Sequence, residues 1–217
     1  MLFKGKETFY HQRNLTKTTL KGEKSLKTIL ASKSPRRKEL LSKIVSDFEI
    51  IVSDADETVE DGMHPRDAAH LLARRKGEGV ARENPDAVVI SSDTLVELCA
   101  VPLGKPTSKA DAERMLSDLS GKTHNVHTGV AVHYKGKVLS SVDSAAVTFR
   151  KIEKEEILWY IETGEPMDKA GAYAIQGLGN RFIEKYDGEF DTVMGLSVKL
   201  TRELIEKITD GEFEFVN

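Results

Sequence analysis

The sequence predicts an α/β fold in which a mixed, twisted sheet is flanked by helices. Residues 28 to 31 form a short apolar run that breaks into a polar turn and then a basic amphipathic helix, a strand-turn-helix unit. Ala87 to Ile90 is a continuous apolar run between turn signals, the pattern of a central strand covered on both faces. Val126 to Tyr134 and Val138 to Phe149 alternate around Lys135, Gly136 and Lys137, as the arms of an antiparallel hairpin do. Helix-linked strands beside a hairpin make the sheet mixed.

In order, Thr28 to Ala31 is the first strand, and Ser34 is an N-cap with Pro35 at the first helical position. The helix runs Arg36 to Val45 with Leu40, Leu41 and Ile44 on one face, and Phe48 to Val52 returns as a strand. After the acidic loop DADETVEDG, Pro65 and the apolar positions Ala68, Ala69, Leu71, Leu72, Ala73 and Val80 mark a helix that carries Arg74, Arg75 and Lys76 in its later turns. The central strand stops at Ser91, Ser92 and Asp93, and Thr94 to Val101 is a second extended segment. Asp111 to Leu119 is helical, the hairpin follows, and Ile152 to Ile161 is amphipathic. Gly164 to Gly179 is a glycine-rich irregular loop, Arg181 to Glu184 a short strand, and Leu196 to Ile208 the closing helix.

A chain of 217 residues suits a single α/β unit with a substantial core. We expect a flexible extension at 1–26, one catalytic domain at 27–210 and a tail at 211–217. The extension carries seven basic residues to Lys27 against Glu7 and Glu23, and it is lysine-rich rather than arginine-rich, unlike a mitochondrial leader. Net charge is −3 with 31% charged residues, which argues against nucleic acid as the partner. No apolar run reaches the ~20 residues that span a bilayer, so no membrane partner is expected. The lone Cys99 excludes an internal disulfide and fits a reducing, cytoplasmic setting; it reads as a core residue, as does Trp159.

The chemistry gathers at the first turn. Free N–H groups at a helix start favour an anion, and Arg36 and Arg37 add two planar forks beside them, so the natural ligand is a phosphate. Taken alone, SPRR reads better as an ordinary surface helix opening with two solvated arginines. Asp93 at the end of a buried strand and Glu57 in the acidic loop are two carboxylates of the sort that hold magnesium, and Asp93 alone reads equally as a strand cap. His124 and His127 read as packing or loop support. No zinc motif and no P-loop is present.

LASKSPRRKELL at 30–41 resembles the opening signature of the Maf family of nucleoside triphosphate pyrophosphatases. DADE at 54–57, Lys76, SSDT at 91–94, LGKP at 103–106, LSGKTHNVHTGV at 119–130 and GEPMDKAGAYAIQG at 164–177 follow in the family's order. The resemblance implies two lobes around a central cleft, as in inosine triphosphatase. It implies Asp93, Glu57, Lys76 and Lys105 as catalytic residues, with Asp93 and Glu57 on a divalent metal, Mg²⁺ or Mn²⁺. Ser32, Ser34, Arg36 and Arg37 would hold phosphate. Arg37, Thr94 and Gln176 are similar to the branch acting on dTTP and UTP, which yields the monophosphate and pyrophosphate. Two alternatives stay open: a regulatory Maf protein linked to cell-division arrest, and the branch specific for 7-methyl-GTP. A homodimer is compatible with the sequence without being specified by it. Gly77 stands where alanine is usual, Ala174 where glycine is common, and Ser197 where proline often follows GL.

Overall fold

The computed structural model describes residues 26–52 and 54–216. The extension expected at 1–26 therefore lies outside the described residues except at Leu26, which packs against the core.

Strand β1, Thr28–Leu30, is buried throughout and leads to helix α1, Pro35–Leu41, capped by Ser34. This helix is shorter than the expected Arg36 to Val45. The amides of Lys43 and Ile44 turn back to the Leu40 and Leu41 carbonyls, which tightens the last turn while Ile44 and Val45 stay buried. Strand β2, Glu49–Ile50, is followed by helix α2, Pro65–Glu83, whose first amides are capped by the His64 ring at Arg66 N. Then come β3, Val88–Leu98; β4, Val101–Leu103; and α3, Lys109–Leu119. Strands β5, Thr123–Tyr134, and β6, Lys137–Phe149, form the hairpin, and α4 spans Lys154–Glu162. The glycine-rich loop folds into short 3₁₀ turns before β7, Ile183–Asp187; α5, Phe190–Met194, which the sequence did not signal, and α6, Val198–Ile208, close the chain.

Among the described residues the strands make one mixed sheet of seven in the order β2-β1-β3-β5-β6-β7, with β4 on β3. β2, β1 and β3 are parallel, and the remaining pairs are antiparallel. Helix α2 lies close against one face: a Cβ on Gly129 of β5 would sit 2.2 Å from the Ala69 carbonyl oxygen, so only glycine admits this approach. One core joins α1 and α6 to the sheet through Leu30, Leu40, Val130, Leu196 and Ile205, and a second joins α3 and α4 through Val96, Leu116, Phe149, Tyr160 and Phe182. At the end of the chain Phe213 and Phe215 pack on the first core, and Val216 N–H donates to Ile44 O at 3.1 Å. Among the described residues no helix is long and apolar enough to cross a membrane.

Three expectations are corrected. The central strand does not stop at Ser91: β3 runs unbroken through Asp93 to Leu98 because its other edge is paired with β5 the whole way, Ser91 to Ala131 and Thr94 to Thr128. The polar residues are accommodated because each hydroxyl finds a partner: Ser91 Oγ donates to Ala73 O at 2.7 Å, Ser92 Oγ to Gly195 O at 2.8 Å, and Thr94 bonds Thr128 at 2.9 Å. Cys99 is not core but exposed, in the tight β3–β4 turn where Cys99 and Ala100 both take positive φ, 52° and 63°. Trp159 is 43% exposed, because α4 turns Ile157, Tyr160 and Ile161 inward; its ring lies under the Arg181 guanidinium at 4.2 Å.

Candidate active site

The sheet leaves a gap. β1 pairs with β3 as far as Leu30 opposite Ile90, and β4 begins pairing only at Val96, so between those points β3 has a bare edge beyond the carboxyl ends of β1 and β2. Such a position is where open α/β sheets take ligands. A cavity of about 680 Å³ sits there.

The opening turn forms one wall. Ser32 is buried, and its Oγ accepts from Ser34 N at 3.2 Å and from Arg37 Nη1 at 3.4 Å. Arg37 Nε donates to the Gly195 carbonyl at 2.9 Å, Nη2 reaches Thr94 Oγ1 at 3.5 Å, and Arg36 Nε donates to Met194 O at 3.3 Å. The end of α5 thus aims both guanidinium groups along the cavity. Burial draws Arg37 below its ordinary pKa while the Asp93 carboxylate pulls the other way; a guanidinium stays charged in either case. Since α1 has only seven residues, few peptide dipoles align behind it, and the arginines supply most of the positive field.

Lys76 of α2 forms the opposite wall. Its Nζ bonds the buried Asp93 carboxylate and lies 3.2 Å from Glu57 Oε1, so two carboxylates from separate elements converge on one cationic nitrogen. The neighbouring Arg75 donates to the Thr58 carbonyl and holds the loop that carries Glu57. Asp93 is therefore not a strand end. It reaches the cavity because the neighbouring strand has ended.

All ten residues singled out in the sequence line this one cavity: Ser32, Ser34, Arg36, Arg37, Glu57, Lys76, Asp93, Thr94, Lys105 and Gln176. Sequence reasoning missed Lys33, Asp168 and Lys169, which also line it, and the last two lie within the quoted glycine-rich motif. Burial pushes the Asp168 carboxyl up, but the hydrogen bond and charge of Lys169 outweigh it and hold the group below its usual range. Six basic side chains then face three carboxylates, with Leu72, Leu95, Val96, Val126 and Tyr173 as an apolar floor. Tyr173 is backed by the buried His124, whose Nε2 lies 2.8 Å from its hydroxyl; burial pushes His124 down to about 4, so its ring is neutral. His127 lies apart, 2.7 Å from both Glu97 and Ser144. A second cavity of about 330 Å³, lined by Arg74, Arg82, His133 and Lys137 among others, shares no residue with the first.

Among the described residues no group of three His, Cys, Asp or Glu side chains is placed to hold a metal. Asp93 and Glu57 nonetheless fit a divalent ion that takes only two carboxylates and completes its shell with phosphate oxygens and water, which is the habit of magnesium.

Residues 27–208 match the family of Maf-like proteins, a span that includes the whole cavity wall. The chain belongs to the Maf family. It is 46% identical over 184 residues to a protein of Bacillus cereus named dTTP/UTP pyrophosphatase, covering 84% of this chain and 91% of that one. A Bacillus anthracis protein of the same name is 46% identical over 179 residues, 82% of this chain and 94% of its own. Two departures from the usual Maf pattern find physical reasons. Ser197 caps α6 by accepting from Leu200 N at 3.3 Å and donates to Asp143 at 2.7 Å, so it does as a cap what a proline does by fixing φ. Gly77 leaves room for His133, whose ring would lie 2.7 Å from a Cβ there.

Proposed function

We propose that the protein is a nucleotide pyrophosphatase that hydrolyses dTTP and UTP to the monophosphate and pyrophosphate. The observation that carries this reading is the convergence of Asp93 and Glu57 on one cationic nitrogen in a cavity otherwise rich in basic side chains. A triphosphate needs its charge neutralised along its length, and Arg36, Arg37, Lys76 and Lys105 serve that role from both walls. Ser32 and Ser34 orient the phosphates through hydroxyl and backbone groups. In the reaction a water oxygen bonds to the α phosphorus, the bond from that phosphorus to the bridging oxygen breaks, and its electron pair leaves with pyrophosphate. Asp93 takes the proton of the attacking water, and Glu57 assists. A divalent ion beside Asp93 and Glu57, magnesium by its ligand preference, supplies further charge neutralisation when bound.

The base preference rests on the names of the two Bacillus relatives together with Arg37, Thr94 and Gln176. In this reading residues 27–210 are one catalytic domain, and the cavity is a cleft between a lobe built on α1 and α6 and a lobe built on α3 and α4. A substrate drawn from the nucleotide pool and a lone cysteine support a cytoplasmic place of work. Release of pyrophosphate from a panel of nucleoside triphosphates with magnesium tests the reading. UTP and dTTP are expected to lead, and release of inorganic phosphate alone, or preference for a purine, would overturn it.

A further inference from the structure

We propose that Glu39 decides which pyrimidine the site accepts, by fixing the orientation of the Gln176 amide. The inference rests on the reading of the cavity as a pyrimidine triphosphate site. Gln176 lines the cavity, while Glu39, on α1, stands behind it outside the lining. Gln176 Nε2 lies 3.3 and 3.2 Å from the two Glu39 carboxylate oxygens.

An ionised carboxylate only accepts hydrogen bonds, so the amide can meet Glu39 through its NH₂ and not through its oxygen. That fixes which end of the amide is which. The loop is held as well: Glu165 accepts from the backbone of Leu178 at 3.0 Å and Gly179 at 3.1 Å and from the Tyr160 hydroxyl at 2.8 Å. The backbone that bears Gln176 is anchored on Glu165 and its side chain on Glu39.

Uracil and thymine present an imide N–H between two carbonyl oxygens, whereas cytosine presents an unprotonated ring nitrogen beside an amino group. A glutamine free to turn over serves both edges, because a rotation of its amide exchanges acceptor for donor. Gln176 alone therefore cannot separate UTP from CTP. With its nitrogen committed to Glu39, the amide offers its oxygen as a fixed acceptor, which suits the imide N–H and opposes the cytosine ring nitrogen. Discrimination follows from leaving a polar pair mismatched in the wrong complex.

The test is kcat/KM for UTP and CTP in the wild type, Glu39→Gln, Gln176→Ala and the double variant. In Glu39→Gln the residue can donate as well as accept, the Gln176 amide is released, and the UTP to CTP ratio should fall by about tenfold, the equivalent of ~1.4 kcal/mol. Part of that fall should be a gain for CTP, mainly in KM, which a loosened fold would not produce. In the double variant the ratio should equal that of Gln176→Ala, because Glu39 acts only through the amide. Glu39→Ala should repeat the Glu39→Gln ratio. An unchanged ratio in both Glu39 variants, or additive losses in the double variant, would overturn the inference while leaving the pyrimidine reading intact. A wild type that takes UTP and CTP equally would overturn the base reading, and this inference with it.

Discussion

The His133 ring fills the space that a methyl group on residue 77 would need. A Cβ built on Gly77 would lie 2.7 Å from His133 Nε2 and 2.5 Å from Ser91 Oγ. Helix α2 therefore approaches the sheet with no side chain of its own at residue 77, the space being taken by the His133 ring and the Ser91 hydroxyl. Lys76 precedes Gly77, and Asp93 follows Ser91 by two residues, so the contact sets the separation of the elements that carry the Lys76–Asp93 pair.

Gly77→Ala should accordingly destabilise the protein. Alanine gains about 1 kcal/mol of helix propensity, but overpacking a filled site costs about 1–3 kcal/mol. We expect a net loss on urea unfolding and a raised KM for the triphosphate. Adding His133→Ala should return much of the stability lost in Gly77→Ala, because the clash goes with the ring. A Gly77→Ala protein more stable than wild type would show that the ring simply moves aside.

Asp93→Asn keeps the shape and the Lys76 hydrogen bond while removing the charge, so the protein should fold and its turnover should fall by roughly 10²–10⁴-fold or more. The measurement is pyrophosphate release at saturating UTP alongside thermal unfolding. Near-normal turnover would take Asp93 out of the mechanism.

How far the chain could be read in advance divides by range. Local signals were clear: Ser34 with Pro35 announced α1, and the alternation around Lys135 and Gly136 announced the β5–β6 hairpin. The motifs placed ten cavity residues. What failed depended on distant partners. Ser91 to Asp93 looked like a strand end because the hydroxyl acceptors of Ser91 and Ser92, at Ala73 and Gly195, are far away in the sequence. Cys99 looked like core by residue type and Trp159 by its place on an amphipathic helix, but a two-residue turn exposes the first, and α4 turns Ile157, Tyr160 and Ile161 inward in place of the second. The pairing of Glu39 with Gln176 spans 137 residues and left no local trace.

Stability should fall as the medium turns acid before most carboxylates titrate. Burial pushes His124 from its ordinary 6.5 to about 4, so the unfolded chain binds a proton at this residue that the folded protein refuses. The stabilisation is full above pH 6.5 and is lost as pH falls toward about 4, at up to ~1.4 kcal/mol per pH unit. Burial lowers His133 in the same direction, so the slope belongs to both rings. Urea midpoints between pH 7 and 5 should therefore drop in the wild type and drop less steeply in His124→Asn. Equal slopes would mean that His124 is protonated alike in both states.

Lys76 also bears on how a divalent ion could enter. Its ammonium stands between Asp93 and Glu57, within reach of oxygens that an ion would use, so in the absence of substrate the two cations compete for the same carboxylates. Lys76→Met keeps the length of the stem and removes the charge. Mn²⁺ binding to the protein alone, followed by titration calorimetry or electron paramagnetic resonance, should then tighten by about tenfold or more. That is ~1.4 kcal/mol, well within the ~4 kcal/mol between unit charges 4 Å apart at an effective dielectric of 20. Turnover of UTP should fall in the same variant, because a cation that neutralises phosphate has gone. Binding and turnover thus move in opposite directions, which a general loosening of the site cannot produce. If Mn²⁺ binds Lys76→Met no more tightly than wild type, Asp93 and Glu57 are not its ligands.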